Sequence, residues 1–226
     1  MNDPEREAAK RAAGERAAEE VRDGDVVGLG TGSTAAHAIR ALGERVDSGL
    51  DIAGVPTSYQ SADLAREAGI SLTTLDDAAV DLAIDGADQV VGSNAIKGGG
   101  GSHAREKVVD ASADRLLYVI DPTKEGDVLD EPVPLEVLPI ARAPVSEAVS
   151  DLGGDAVLRS ATEKSGPVVT DNGNLLLDCA FGEIERPEAL ADSLASTPGV
   201  VEHGLFCGLA DAVVVGGEEA TYRSLS

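Results

Sequence analysis

The chain has 226 residues, 42% of them hydrophobic but only 2% aromatic and none of them Trp, so a core must come from Val, Leu, Ile and Ala. Its 41 Asp and Glu outnumber 18 Lys and Arg for a formal charge of −23, which excludes a nucleic-acid face built on clustered basic residues. No apolar run reaches the ~18 residues of a membrane span, and the opening MNDPEREAAK lacks the apolar stretch of a signal peptide.

In chain order, an Ala/Glu/Arg-rich helix is expected over 4–22, then a buried strand over 25–29 feeding a glycine turn. A helix over 33–46 follows, with Ser33 or Thr34 near its N-cap. Next come a strand over 50–55, a helix over 58–68 and strands over 71–74 and 81–84. After four successive glycines a helix spans about 102–112, then a strand 115–120. Helices alternating with short apolar strands imply an α/β fold, a Rossmann-like, largely parallel sheet with helices on both faces. Four prolines in 126–144 suit a linker and edge-type strands. From Val145 to about Phe206 the order reads helix, strand, strand, helix, strand, with DNGN at 171–174 turning a hairpin between 168–170 and 175–178. The apolar run at 212–215 returns to the first sheet. The expected division is a main domain of 1–128 and 207–226 and a smaller inserted α+β domain of 129–206.

The acids are spread along the chain, which reads as a surface suited to a salt-rich cytosol. Lysine stands only at Lys10, Lys97, Lys107, Lys124 and Lys164. Cys179 and Cys207 have neither metal-ligand spacing nor a catalytic context.

Three motifs carry chemistry. GLGTGSTAAHAI, from Gly28 to Ile39, lies between a strand and a helix, where glycines free N–H groups to face an anion and the helix N-terminus adds positive charge. Thr31, Ser33 and Thr34 add hydroxyls, so phosphate is the natural guest; taken alone, the segment reads equally as a tight turn without a ligand. A dinucleotide loop does not fit, since the third glycine, Gly32, comes too early and no acid ends the second strand; no GK[ST] follows. Asp85 and Asp88 of DGAD end a strand, where ligands of parallel sheets bind, or close it as an Asx-turn. Lys97 precedes Gly98, Gly99, Gly100 and Gly101, and Glu106 follows in the next helix. Such a glycine run lets a ligand approach backbone, and a carboxylate partly buried by that ligand gains the pKa of a general base. Lys124 stands at another strand's C-terminal end, as do Thr57 and Ser58, while His37, His103 and His203 have no assignable chemistry.

Together GLGTGSTAAHAI, DGAD, IKGGGG, AREK, VVTDNGN and PGVVEHGLF resemble type A ribose-5-phosphate isomerase, in order and nearly end to end. The resemblance implies metal-free, cofactor-free interconversion of D-ribose 5-phosphate and D-ribulose 5-phosphate in the pentose phosphate pathway, by a homodimer or homotetramer; composition and the lack of an apolar span add the expectation of a cytoplasmic protein without nucleic-acid or membrane partners. It implies that Glu106 shuttles a proton between C2 and C1, that Asp85 assists ring opening, and that Lys97 with nearby N–H groups faces the enediolate. Asp88 would position sugar hydroxyls and the lysine; Gly30, Thr31, Gly32, Ser33, Thr34, Lys10 and Lys124 would hold phosphate, and Thr57 and Ser58 would close on the substrate. Gln89, Ser102 and His103 depart from the family's usual residues, which bears on rate and pH optimum. A sugar-phosphate sensor would lose the base or lysine and carry a basic segment; an assembly subunit would leave Lys97 and Glu106 unexplained.

Overall fold

The computed structural model describes residues 1–163 and 165–225; Lys164 and Ser226 fall outside the described residues. The first elements are α1 (Asp3–Ala18), β1 (Val26–Leu29), α2 (Ser33–Asp47), β2 (Ala53–Pro56), α3 (Tyr59–Glu67), β3 (Ser71–Leu72) and β4 (Leu82–Gly86). Then come β5 (Gln89–Val91), β6 (Asn94–Ile96), α4 (His103–Ser112), β7 (Leu116–Ile120), β8 (Val133–Val137), α5 (Arg142–Asp151) and β9 (Asp155–Leu158). The last are β10 (Leu175–Ala180), α6 (Pro187–Ala195), β11 (Val200–His203), β12 (Leu205–Phe206), β13 (Ala212–Val215) and β14 (Thr221–Ser224). By compactness one unit comprises Met1–Ala87, Arg105–Glu125 and the chain from Gly208 on; the other comprises Asp88–Ala104 and Gly126–Cys207.

The first unit is a seven-stranded sheet in the order β14-β13-β7-β4-β1-β2-β3, parallel throughout except for β14 at its edge. Side chains alternate along each strand. Val27, Leu29, Leu82, Ile84, Leu117, Val119 and Val214 therefore share one core with Ala13 and Ala17 of α1 and Ala38, Ile39 and Leu42 of α2. Each fully buried Leu or Ile there contributes about 1.5–3 kcal/mol. Gly28 points to the opposite face, where a Cβ would stand 2.8 Å from the Val109 side chain of α4. The sheet is thus covered on both faces, as the alternating pattern implied. Helix α1 starts in a capping box between Asn2 and Glu5 and buries only Ala and Gly. Gly14 is needed there, because a Cβ would meet the Ala38 backbone nitrogen of α2 at 2.6 Å.

Just past α1, Glu20 accepts from Arg16 at 2.9 Å and from Arg115 at 3.3 Å, tying the helix end to the entry of β7. Burial pushes its carboxyl up, but the two guanidinium hydrogen bonds outweigh that and hold it below the ordinary carboxylate range. A depressed carboxyl contributes stability above its unfolded value and loses it as pH falls through the folded one. Glu20→Gln is therefore expected to lower stability at pH 7 and leave it unchanged at pH 3, as read by urea titrations at both.

The second unit holds a four-stranded antiparallel sheet, β11-β8-β10-β9, and a three-stranded one, β12-β6-β5. Val133, Leu135, Val137, Leu177 and Cys179 pack against Val145 and Val149 of α5 and Leu194 of α6. Burial first, then Asp178 and Asp155, push the Cys179 thiol up to about 12, which leaves it unreactive.

The N-cap of α2 is Gly32, with Ser33 and Thr34 next to it, and no side chain caps it. Other local expectations change. The second strand begins at Ala53, because α2 exits through Gly49 (φ +104) and the Leu50 N–H returns to the Arg45 carbonyl. Pro134 sits in an interior strand, β8, not an edge. It fits because β11 pairs with β8 only as far as Leu135, and the Pro134 carbonyl still accepts the Gly204 N–H at 2.7 Å. The hairpin before β10 is reduced to one bridge, Val169 to Leu175. Buried Glu136 explains this, since it accepts from Thr170 Oγ1 at 3.0 Å and from the side-chain amides of Asn172 and Asn174 at 3.0 and 2.7 Å, folding DNGN back over β8.

Candidate active site

The strand order of the first unit defines where a ligand is recognised. The chain starts at β1, builds β2 and β3 to one side, then crosses over to β4, β7 and β13 on the other. The switch point lies between β1 and β4, and parallel sheets bind ligands at the carboxyl ends of strands there. Gly30 directly follows β1 and Asp85 lies near the end of β4.

Asp85 is fully buried, and its Oδ1 accepts the N–H groups of Thr31 at 3.1 Å and Gly86 at 2.7 Å. Two backbone donors stabilise the carboxylate and fix its direction. Gly30 makes this contact sterically available, since a Cβ there would lie 2.1 Å from Asp85 Oδ1. The Thr31 hydroxyl contacts Thr57 Oγ1 at 2.8 Å and Ser58 Oγ at 2.7 Å. Thr57 is buried and donates to the Leu29 carbonyl, while Ser58 caps α3 through the Ser61 N–H. The loops after β1 and β2 are thereby joined, and the first turn of α2, with Ser33 exposed and Thr34 buried, presents N–H groups that no side chain caps.

Glu106 lies in the first turn of α4 and is 4% exposed. It shares the helix's buried face with Val109 and Asp110, three and four residues on, so its direction is set by the turn that packs on Gly28. Its neighbour Arg105 stacks over the Tyr59 ring at 5.1 Å, joining α4 to the start of α3. Lys124, half-buried, stands in the short turn after β7, opened by the Asp121 side chain accepting the Thr123 N–H. Lys10 follows Ala9, whose carbonyl lies 1.8 Å from where a Gly216 Cβ would be, and Gly216 succeeds β13. Both lysines therefore stand at the carboxyl edge of the same parallel sheet.

The second unit carries the other residues. Lys97 follows β6, is 2% exposed, and places its Nζ 5.2 Å from the Phe206 ring centroid. A buried ammonium held by a ring face is a fixed point charge rather than a mobile loop lysine. Asp88 Oδ2 accepts the Gly99 N–H at 2.7 Å, and the Gly101 N–H returns to the Gly98 carbonyl at 3.0 Å, so Gly98, Gly99 and Gly100 form a closed turn. Gly98 requires glycine twice, at φ +109 and with a Cβ position 2.7 Å from His103 Nδ1. His103 is buried behind that turn, its Nε2 3.2 Å from the Glu202 carbonyl, and Gln89 bonds to Val128 and Asp130. His37 pairs with Glu7 at 2.8 Å on the helical side of the first unit, and the Leu205 N–H reaches His203 Nδ1 at 3.3 Å.

Sequence reasoning overlooked Arg159, whose guanidinium reaches the glycine turn. Among the described residues, no group of three or more His, Cys, Asp and Glu is placed to hold a metal ion, and no helix is long and apolar enough to cross a membrane.

Chemically, the first unit offers a carboxylate on a buried helix face, a second clamped at the switch point, and an anion loop. The second offers the buried Lys97, followed in sequence by the glycine turn. Each unit by itself thus carries groups of the kind used in proton transfer next to a carbonyl on an anionic substrate. Comparison with known proteins agrees. The sequence model for ribose 5-phosphate isomerase A (phosphoriboisomerase A) matches residues 53–220. Ribose-5-phosphate isomerase A of Haloarcula marismortui is 66% identical over 221 residues, covering 97% of each chain. The ribose 5-phosphate isomerase A structure from Methanocaldococcus jannaschii superposes with TM-score 0.92 at 42% identity, over 96% of this chain and 98% of that one. A D-ribose-5-phosphate isomerase solved with phospho-erythronic acid superposes with TM-score 0.95 at 40% identity, over 99% and 100%. With the matched segment spanning Asp85, Lys97 and Glu106, this chain belongs to the ribose 5-phosphate isomerase A family.

Proposed function

We propose that the protein interconverts D-ribose 5-phosphate and D-ribulose 5-phosphate through an enediolate, as a step of the non-oxidative pentose phosphate pathway. The observation that carries this reading is the buried Asp85, clamped at the switch point by the Thr31 and Gly86 N–H groups. Glu106 is the base that takes the C2 proton and returns it to C1. Asp85 exchanges protons with the sugar oxygens as the ring opens. Lys97 with neighbouring N–H groups of the Gly98–Gly99–Gly100 turn stabilises the enediolate, and Asp88, held by the Gly99 N–H, orients the sugar hydroxyls. Gly30, Thr31, Gly32, Ser33 and Thr34 with Lys10 and Lys124 hold the phosphate, and the Thr57 and Ser58 hydroxyls close the loop around it. Phosphate binding far from the reacting carbons fixes the pose in which one carboxylate reaches both. We further propose a homodimer or homotetramer in the cytoplasm, needing no metal.

The test is formation of ribulose 5-phosphate from ribose 5-phosphate in molar KCl, with and without EDTA. Equal rates are expected. Loss of rate to EDTA would overturn the metal-free mechanism, and folded protein without turnover would overturn the isomerase reading. Lys124→Ala removes one charge-assisted phosphate contact, worth about 1.5–3 kcal/mol. KM is expected to rise by about 10–100-fold while kcat changes little. A fall in kcat at unchanged KM would sink its phosphate role.

A further inference from the structure

A run of four glycines has more freedom to lose than any other segment, and a turn whose N–H groups stabilise an enediolate must be held from outside. Within the second unit the hold is visible. Arg159 directly follows β9, and its side chain is 17% exposed. Its Nη1 donates to the carbonyls of Gly98 at 2.9 Å and Gly99 at 3.0 Å. Its Nε and Nη2 engage Asp178 of β10, with Nε 2.9 Å from Oδ2 and 3.2 Å from Oδ1. One rigid fork thus joins the sheet of the second unit to two consecutive peptides of the turn.

Planar trans peptides translate this into donor geometry. The N–H of a trans peptide points opposite to its carbonyl, and among the described residues no peptide bond is cis. With the Gly98 and Gly99 carbonyls facing Arg159, the Gly99 and Gly100 N–H groups face away from it. The Gly99 N–H does so observably, donating to Asp88 Oδ2 at 2.7 Å. Gly99 and Gly100 are both exposed residues. A cation on the carbonyl side also polarises each peptide, which strengthens its N–H as a donor. Asp178 neutralises the guanidinium, so Arg159 acts through the peptides and adds no net charge.

We propose that Arg159, held by Asp178, is a positioning residue for the isomerase reaction: it fixes the Gly98–Gly99 and Gly99–Gly100 peptides so that the Gly100 N–H meets the enediolate while the Gly99 N–H holds Asp88. This rests on the isomerase reading given above. Lysine has a single ammonium and cannot grip Asp178 and two carbonyls in one plane.

The experiment compares wild type, Arg159→Lys and Asp178→Asn in molar KCl. It reads kcat, KM for ribose 5-phosphate, inhibition by inorganic phosphate, affinity for phospho-erythronic acid and the thermal melt. Both variants are expected to melt cooperatively. Their kcat and their affinity for phospho-erythronic acid fall together, by about 10–100-fold, the cost of a small misplacement. KM and phosphate inhibition stay within about threefold, because the anion loop belongs to the first unit and Arg159 makes none of its contacts there. Asp178→Asn keeps the guanidinium, so it tests the fork even if Arg159→Lys folds poorly. Wild-type kcat and analogue affinity in both variants would overturn the inference and leave the isomerase reading standing. So would losses spread equally over kcat, phosphate inhibition and melting. A folded wild type that turns over no ribose 5-phosphate would overturn both.

Discussion

Glu106→Gln is expected to lower kcat by about 10²–10⁴, the worth of a positioned general base. Affinity for phospho-erythronic acid and KM for ribose 5-phosphate should stay near wild type. Glutamine keeps the volume and one acceptor, so the buried face formed with Val109 and Asp110 is not reshaped. On the proposed mechanism, what is lost is the capacity to take a proton from C2 and return it to C1. A second signature separates this from a binding defect. Exchange of the C2 proton with solvent, read in deuterated buffer, should vanish with turnover. Glu106→Gln with near-normal kcat, or with exchange intact, would remove Glu106 as the base.

Gly30→Ala is the second large effect, and it reports on Asp85 without touching its chemistry. The new Cβ would lie 2.1 Å from Oδ1 and 2.4 Å from Cγ of Asp85, positions no pair of atoms can share. The carboxylate must then leave the Thr31 N–H or the loop after β1 must shift. Overpacking of this kind costs about 1–3 kcal/mol in stability. The displaced acid and phosphate loop are expected to cost at least about 10²-fold in kcat/KM. Gly86→Ala is the comparison, because it keeps the N–H that meets Asp85 and its Cβ meets nothing closer than 3.7 Å. Activity in Gly30→Ala equal to that of Gly86→Ala would contradict the role given to the clamp.

Much of the fold was legible because its signals are local. The apolar strand, glycine turn and Ala-rich helix from Val26 to Asp47 form one contiguous pattern, and DGAD and IKGGGG announce themselves by composition. What escaped was non-local. Arg159 is 61 residues from Gly98 in sequence, so nothing near it marks a partner in the glycine turn. Pro134 misled for the same reason, since its place in an interior strand depends on where β11 stops. The β5 and β6 strands, three residues each, are too short for periodicity to reveal and exist through pairing with each other and β12. The start of α2 was legible to within a residue, but not that its Gly32 N-cap leaves the first N–H groups unclaimed by side chains.

The two edges of the large sheet have a bearing on how this protein survives its own solvent. Concentrated salt screens the repulsion that would otherwise keep copies with 23 excess negative charges apart. Colloidal stability then falls to shape, and open strand edges are the usual seed of aggregation. One edge here, β3, is only two residues long and is soon followed by the exposed Asp76 and Asp77. The other, β14, carries Arg223, ion-paired with Glu125, along a largely exposed strand. Neither offers a long apolar template, so in concentrated salt this sheet presents no strand edge for another copy to extend.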